Sequence, residues 1–118
     1  MEGIKISLQK AEVAEDVLTI RVDGYIDTIT SSELEKTLSS LLKQGRYKVV
    51  VDLGGVDYIS SAGWGLFISG IKEMRENGGD LKLTRMIPPV YEIYQLLEFD
   101  RILEAYPTLE EAQRSFSA

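Results

Sequence analysis

The chain opens in a two-residue rhythm. Ile4, Ile6 and Leu8 alternate with polar neighbours, as on a half-buried strand. A polar stretch, AEVAED (11–16), leads to VLTIRVDGYI (17–26), a second alternating run ending near Gly24, and the two runs are expected to pair as a hairpin with a long loop. The rhythm then lengthens. Leu34, Leu38, Leu41 and Leu42 recur at helical spacing, Thr30 and Glu33 have capping-box spacing at the start, and Gly45 is the expected stop.

YKVVVDL (47–53) is a continuous, β-branched run bounded by Gly54–Gly55, the pattern of a strand buried on both faces. From about Ser61 the helical spacing returns through Trp64, Phe67, Ile68, Ile71 and Met74, and Asn77–Gly78–Gly79 ends it. DLKLTRM (80–86) reads as the next strand. Pro88–Pro89 opens a helix carrying Val90, Ile93, Leu96 and Leu97 on its inner face. A short extended piece around 102–105 follows, and Thr108 with Glu111 caps a last helix whose Leu109, Ala112 and Phe116 point inward. Strands alternating with helices predict an α/β fold in which residues 1–118 form one domain, with a mixed, mostly parallel sheet of about four or five strands and about four helices.

Composition narrows the chemistry. At 118 residues and 44% hydrophobic, the chain can bury a core without covalent staples. It has no cysteine and no histidine, which removes thiolate chemistry, Ser-His and Cys-His nucleophilic systems and the usual zinc sites. A net charge of −6, with no extended basic cluster, argues against a nucleic-acid partner. No run approaches the roughly 20 apolar residues of a membrane span, and MEGIKISLQK lacks the apolar centre of a secretion signal. The expectation is a cytoplasmic protein with no catalytic residues, metal or cofactor.

The most constrained stretch is VDYISSAGWGLF (56–67), where two serines and two glycines join an apolar run to a helix. From spacing alone, one serine is an N-cap, accepting a backbone N–H for about 0.5–2 kcal/mol. Sharper readings fail on missing parts. A nucleophile elbow needs a glycine two residues before the serine and a histidine. A dinucleotide loop needs a third glycine where Ile68 stands, and a phosphate loop needs Gly-Lys-Ser/Thr. An aspartyl-phosphate receiver could use Asp52, but Leu8-Gln9-Lys10 offers no acidic pair and no lysine follows Lys82.

The run VVVDLGGVDYISSAGWGLF resembles the central segment of the STAS domain, the fold of bacterial anti-sigma factor antagonists, in which D-S-[ST]-G-[LM]-G carries a phosphorylated serine after the aspartate. VDGYIDTITSSELEKTL is similar to the family's G-x-[LI]-D-x-x-[TS] and first helix, and residues 80–116 resemble its closing strand-helix-strand-helix. The resemblance places the phospho-acceptor at Ser61, with Ser60 as a rival, and the family's two glycines at Gly63 and Gly65. Asp27 falls on its loop aspartate. Ser60 stands where the family has the acidic residue, Ala62 replaces its second hydroxyl, and Trp64 replaces a smaller aliphatic residue. The implied partners are an anti-sigma factor that is also a serine kinase and, for the phosphorylated form, a serine phosphatase. The implied contact surface is Asp27, Ser60, Ser61, Ala62, Gly63, Trp64, Gly65 and Leu66. Alternative readings remain: Asp27 as a turn or cap residue, Trp64 and Tyr58 as core, Leu66 buried under a loop. A STAS adaptor subunit of a transport or signalling assembly, without phosphorylation, is the alternative function, and a small enzyme the remote one.

Overall fold

The computed structural model describes residues 4–10 and 16–117. Strand alternation gives the sheet two unlike faces. On β3 (Lys48–Ile59), Val49, Val51 and Leu53 point one way and Val50 and Asp52 the other. Its parallel neighbours continue each stripe. In β2 (Leu18–Ile26), Leu18 and Ile20 pair with Val49 and Val51, while Thr19 and Arg21 pair with Val50 and Asp52. In β4 (Asp80–Thr84), Leu81 and Leu83 join the apolar stripe and Lys82 and Thr84 the polar one. The order is β1-β2-β3-β4-β5, with β1 (Lys5–Lys10) antiparallel on one edge and the two-residue β5 (Ala105–Tyr106) parallel on the other. The expected loop between β1 and β2 falls largely on residues 11–15, outside the described residues.

Three successive crossovers step to the adjacent strand in the same sense, so right-handed connections put all three helices on one face. Helices α1 (Ser31–Lys43), α2 (Ser61–Glu76) and α3 (Pro88–Leu96) cover the apolar side, where Leu34, Leu38, Trp64, Phe67, Ile71 and Tyr94 share one core with the strands. Among the described residues, the opposite face receives α4 (Leu109–Arg114), whose Ala112 packs with Val17 and Val50, and the short turn 115–117 that follows it. Polar bonds pin that helix. Gln113 donates to the Thr19 hydroxyl at 2.9 Å, and buried Lys82 donates to Ser115 at 2.8 Å with its ammonium 4.4 Å from the Phe116 ring centre.

Four local expectations are corrected. β3 does not end at Gly54–Gly55 but runs on to Ile59. The glycines make room: a Cβ at Gly55 would lie 1.8 Å from the Asp23 carboxylate, and one at Gly54 would lie 3.2 Å from both the Arg21 and Arg85 guanidiniums. These groups surround Asp52, only 3% exposed. Its Oδ1 accepts from the Gly54 N–H at 3.0 Å, and its Oδ2 lies 3.3 Å from each arginine. To reach it, Arg85 adopts φ 62°. Second, α3 turns Val90 and Tyr94 inward and leaves Ile93, Leu96 and Leu97 exposed, because Tyr94 stacks on Trp64 and donates to the Leu103 carbonyl. Third, Tyr58 is 53% exposed rather than core. The register slips between Gly24–Val56 and Tyr25–Tyr58, so Asp57 is an extra residue that turns its neighbour outward.

Fourth, Thr30 does not cap α1 through its side chain. Its backbone is already helical (φ −75°, ψ −21°), and Asp27 does the capping three residues earlier. Gly45, at φ +79°, follows the helix end as expected. At the next helix end, a Cβ on Gly79 would stand 1.8 Å from the Tyr47 carbonyl oxygen, a backbone atom that cannot turn aside. Gly79→Ala is therefore expected to lower stability by about 1–3 kcal/mol, read as an earlier urea midpoint.

Candidate functional site

Parallel strands deliver the ends of β2 and β3 to the same edge of the sheet. They are tied there: the Ser60 N–H donates to the Ile26 carbonyl at 2.8 Å. Ser60 is extended (φ −78°, ψ 172°), and its hydroxyl accepts from the Gly63 N–H at 3.3 Å as the N-cap of α2. Its carbonyl accepts the first helical bond, from Trp64, at 3.0 Å. Ser60 is thus held on three sides and half-buried. Ser61 is the first residue of the helix and is exposed. The two adjacent hydroxyls have different roles, one structural and one presented to solvent.

The small residues after them divide in the same way. Gly63 is buried, and a Cβ there would lie 2.7 Å from Ile26 and 2.8 Å from Ile59, so the bare backbone lets the helix sit on both strand ends. Ala62 and Gly65 are exposed, and a Cβ on Gly65 would meet nothing within 4 Å. With half-buried Leu66 they line a hollow of about 280 Å³ that Ser31 and Glu35 of α1 close from the other side. Trp64 is corrected to the interior. It is 2% exposed, stacked on Phe99 at 4.9 Å between ring centres and edge-on to Phe67 at 6.2 Å. Of the expected surface, Ser61, Ala62, Gly65 and part of Leu66 are exposed, whereas Gly63 and Trp64 lie beneath them.

Asp27 follows β2 directly. Its Oδ1 accepts from the Ile29 and Thr30 N–H groups, each at 2.9 Å, and its own N–H donates to the Thr30 hydroxyl at 2.9 Å. The cap reading holds for this carboxylate. The Thr30 N–H, acting first against desolvation and joined by the Thr30 hydroxyl and the Ile29 N–H, holds its carboxyl below the usual carboxylate range. A lowered folded-state value stabilises the fold above the unfolded pKa, and this contribution disappears as pH falls through the lowered one.

The serine turn itself carries no charge. From Ile59 to Ile71 there is no charged residue, and the first turn of α2 carries no acid. An anion on Ser61 would meet the free N–H groups and positive dipole end of a 16-residue helix, with no like charge on that turn. Sequence reading missed the apolar rim of this edge, formed by exposed Tyr25, Ile29, Tyr58 and Ile93. The signal was the pair Asp57-Tyr58, two residues that break the inward alternation of β3. Two neighbouring substitutions separate the serines. Ser60→Ala is expected to cost about 0.5–2 kcal/mol through loss of the cap. Ser61→Ala should stay within about 0.5 kcal/mol of the parent, both measured by urea unfolding.

Comparison with known proteins places this geometry. An anti-sigma-B factor antagonist of Staphylococcus epidermidis is 34% identical over 82 residues, 70% of this chain and 76% of that protein. An anti-sigma factor antagonist from Mycobacterium paratuberculosis superposes with a TM-score of 0.87 at 21% identity, covering 98% of this chain and 96% of that one. The phosphorylated form of the Bacillus cell fate determinant SpoIIAA superposes with a TM-score of 0.68 at 20% identity, covering 92% and 98%. No helix among the described residues is long and apolar enough to cross a membrane. The STAS domain profile matches residues 9–112, and the chain belongs to the STAS domain family.

Proposed function

We propose that this chain is an anti-sigma factor antagonist switched at Ser61. The observation that carries the reading is the division of labour at the turn: Ser60 caps the helix, while Ser61 stands exposed on a turn that carries no charged residue. The names of the relatives support it, as does a solved relative in phosphorylated form. Unphosphorylated, the edge formed by Ser61, Ala62, Gly65 and Leu66 docks on an anti-sigma factor, which then releases its sigma factor. Ala62 and Gly65 leave the first turn low enough for a partner's backbone to approach closely.

The anti-sigma factor is also the kinase. The Ser61 Oγ loses its proton and bonds to the γ-phosphorus of ATP as the bond to ADP breaks. The product carries about −1.5 to −2 charges and three acceptor oxygens. On the free protein the helix N-terminus accommodates them. In a closed interface an unpaired charge costs several kcal/mol, and each 1.4 kcal/mol is about tenfold in affinity. Docking is lost while the fold stays intact, until a serine phosphatase restores the hydroxyl. In this scheme the protein acts in the cytoplasm, catalyses nothing itself and needs no cofactor.

Incubation with the anti-sigma kinases of the host genome and ATP should place one phosphate on Ser61, located by mass spectrometry; modification confined to other residues overturns the switch. Ser61→Glu is expected to weaken partner binding by roughly 100-fold or more, with a melting temperature at or above the parent's because the dipole contributes about 0.3–1 kcal/mol. Gly65→Ala should raise stability by about 0.5–1 kcal/mol and weaken the same binding, read by calorimetry. The neutral cap Ser60, in the place of the family's aspartate, favours a second reading as a non-phosphorylated adaptor. Equal partner binding by Ser61→Asp and Ser61→Ala would establish that reading instead.

A further inference from the structure

Beside the serine turn, between the outer end of β3 and α3, runs a groove of about 280 Å³ lined by Asp57, Tyr58, Trp64, Pro89, Val90 and Ile93. It is continuous with the switch edge, because Ile59, which also lines it, precedes Ser60. Exposed Leu96 and Leu97 extend its apolar character along α3. Such residues together on one surface are more than the scattered apolar exposure of an ordinary monomer.

One further observation marks the wall of the groove, and a second says what kind of occupant fits. The indole Nε1–H of Trp64 is buried without a hydrogen-bond acceptor among the described residues. An orphaned buried donor costs about 1–3 kcal/mol and calls for an explanation; here it belongs to the ring that lines the groove. The charge pattern is one-sided. Asp57 is the ionisable acid of the lining, Glu92 lies beside Ile93 on the exposed side of α3, and neither 56–71 nor 87–97 contains a lysine or arginine. A cation is the complement of such a surface, and an acidic occupant would be repelled.

We propose that this groove is the second contact of the anti-sigma factor, receiving an amphipathic segment that carries a lysine or arginine. An apolar side chain of that segment lies between Tyr58 and Ile93, and its cation faces Asp57. The proposal rests on the reading of the chain as an anti-sigma factor antagonist and adds a division of tasks. Ser61 decides when the complex forms, and the groove decides with which anti-sigma factor.

The single tryptophan supplies one indole N–H resonance that reports on the groove directly. The full-length protein, labelled with nitrogen-15, is titrated with each purified anti-sigma factor of the host genome, alongside Ile93→Asp, Asp57→Lys and Ser61→Glu. Ile93 and Asp57 are exposed, so both variants should keep the parent's circular dichroism and melting temperature within a few degrees. The expected result is a shifted Trp64 indole resonance on binding, with Ile93→Asp and Asp57→Lys each weakening the complex by about tenfold or more. Unchanged affinity in both, while Ser61→Glu abolishes binding, overturns the groove and leaves the switch standing. Weakened binding in both, with Ser61→Glu binding as the parent does, upholds the groove and overturns the switch. An indole shift that depends only on the protein's own concentration assigns the groove to a second copy and overturns the proposal. So does the absence of binding to any anti-sigma factor.

Discussion

The site depends on one seam, the junction of the parallel ends of β2 and β3. The Ser60 N–H reaches the Ile26 carbonyl across it, and Gly63 rests on Ile26 and Ile59 from above. Asp27, the cap of α1, follows Ile26 directly, and Ser60, the cap of α2, follows Ile59. Two helix starts are therefore fixed relative to each other by the end of one interstrand ladder. A methyl group at Gly63 would separate the helix from both strands and tilt the exposed first turn with it.

The two faces of the sheet solve different problems. The apolar face takes three helices, and its buried aliphatic and aromatic groups, each contributing about 1.5–3 kcal/mol, hold α2 rigidly enough to present a single hydroxyl. The other face uses charge. Asp52 between Arg21 and Arg85, and Lys82 among Ser115, Glu104 and Phe116, are buried or half-buried ions with their partners in place. Removing one partner of such a set costs more than the set contributes in net stability. This face specifies register and anchors α4, while the apolar face supplies most of the cohesion.

The alternation of β2, β3 and β4 and the helical spacing of α1 and α2 were legible because burial on one side writes a period into the chain. The serine turn was legible because small residues and hydroxyls cluster there for backbone reasons. Three features were not. Gly54–Gly55 looks like a turn, since a glycine that admits a neighbouring strand's ion pair has the same letter as one that reverses the chain. Hydropathy put Val90, Ile93, Leu96 and Leu97 on the inner face of α3; Val90 is there, but the aromatic stack chose Tyr94 in place of the other three, and its hydroxyl also finds a partner inside. Asp27 was readable as a cap or as a contact residue, and only its bonds to Ile29 and Thr30 separate the two. Hydropathy records how much a residue dislikes water; it does not record which neighbour arrives first.

Position 85 carries two demands that no ordinary residue meets together. Its left-handed backbone is easy only for glycine and tolerable for asparagine, and costs other residues about 1–2 kcal/mol. Neither glycine nor asparagine could reach Asp52, which is sealed beneath. Arginine satisfies the carboxylate and bears the backbone cost. Mutational tolerance at this site should therefore be narrow for a reason that neither its exposure nor its hydropathy discloses. A change here would leave the buried carboxylate of Asp52 to Arg21 alone, on the side of the sheet away from the switch.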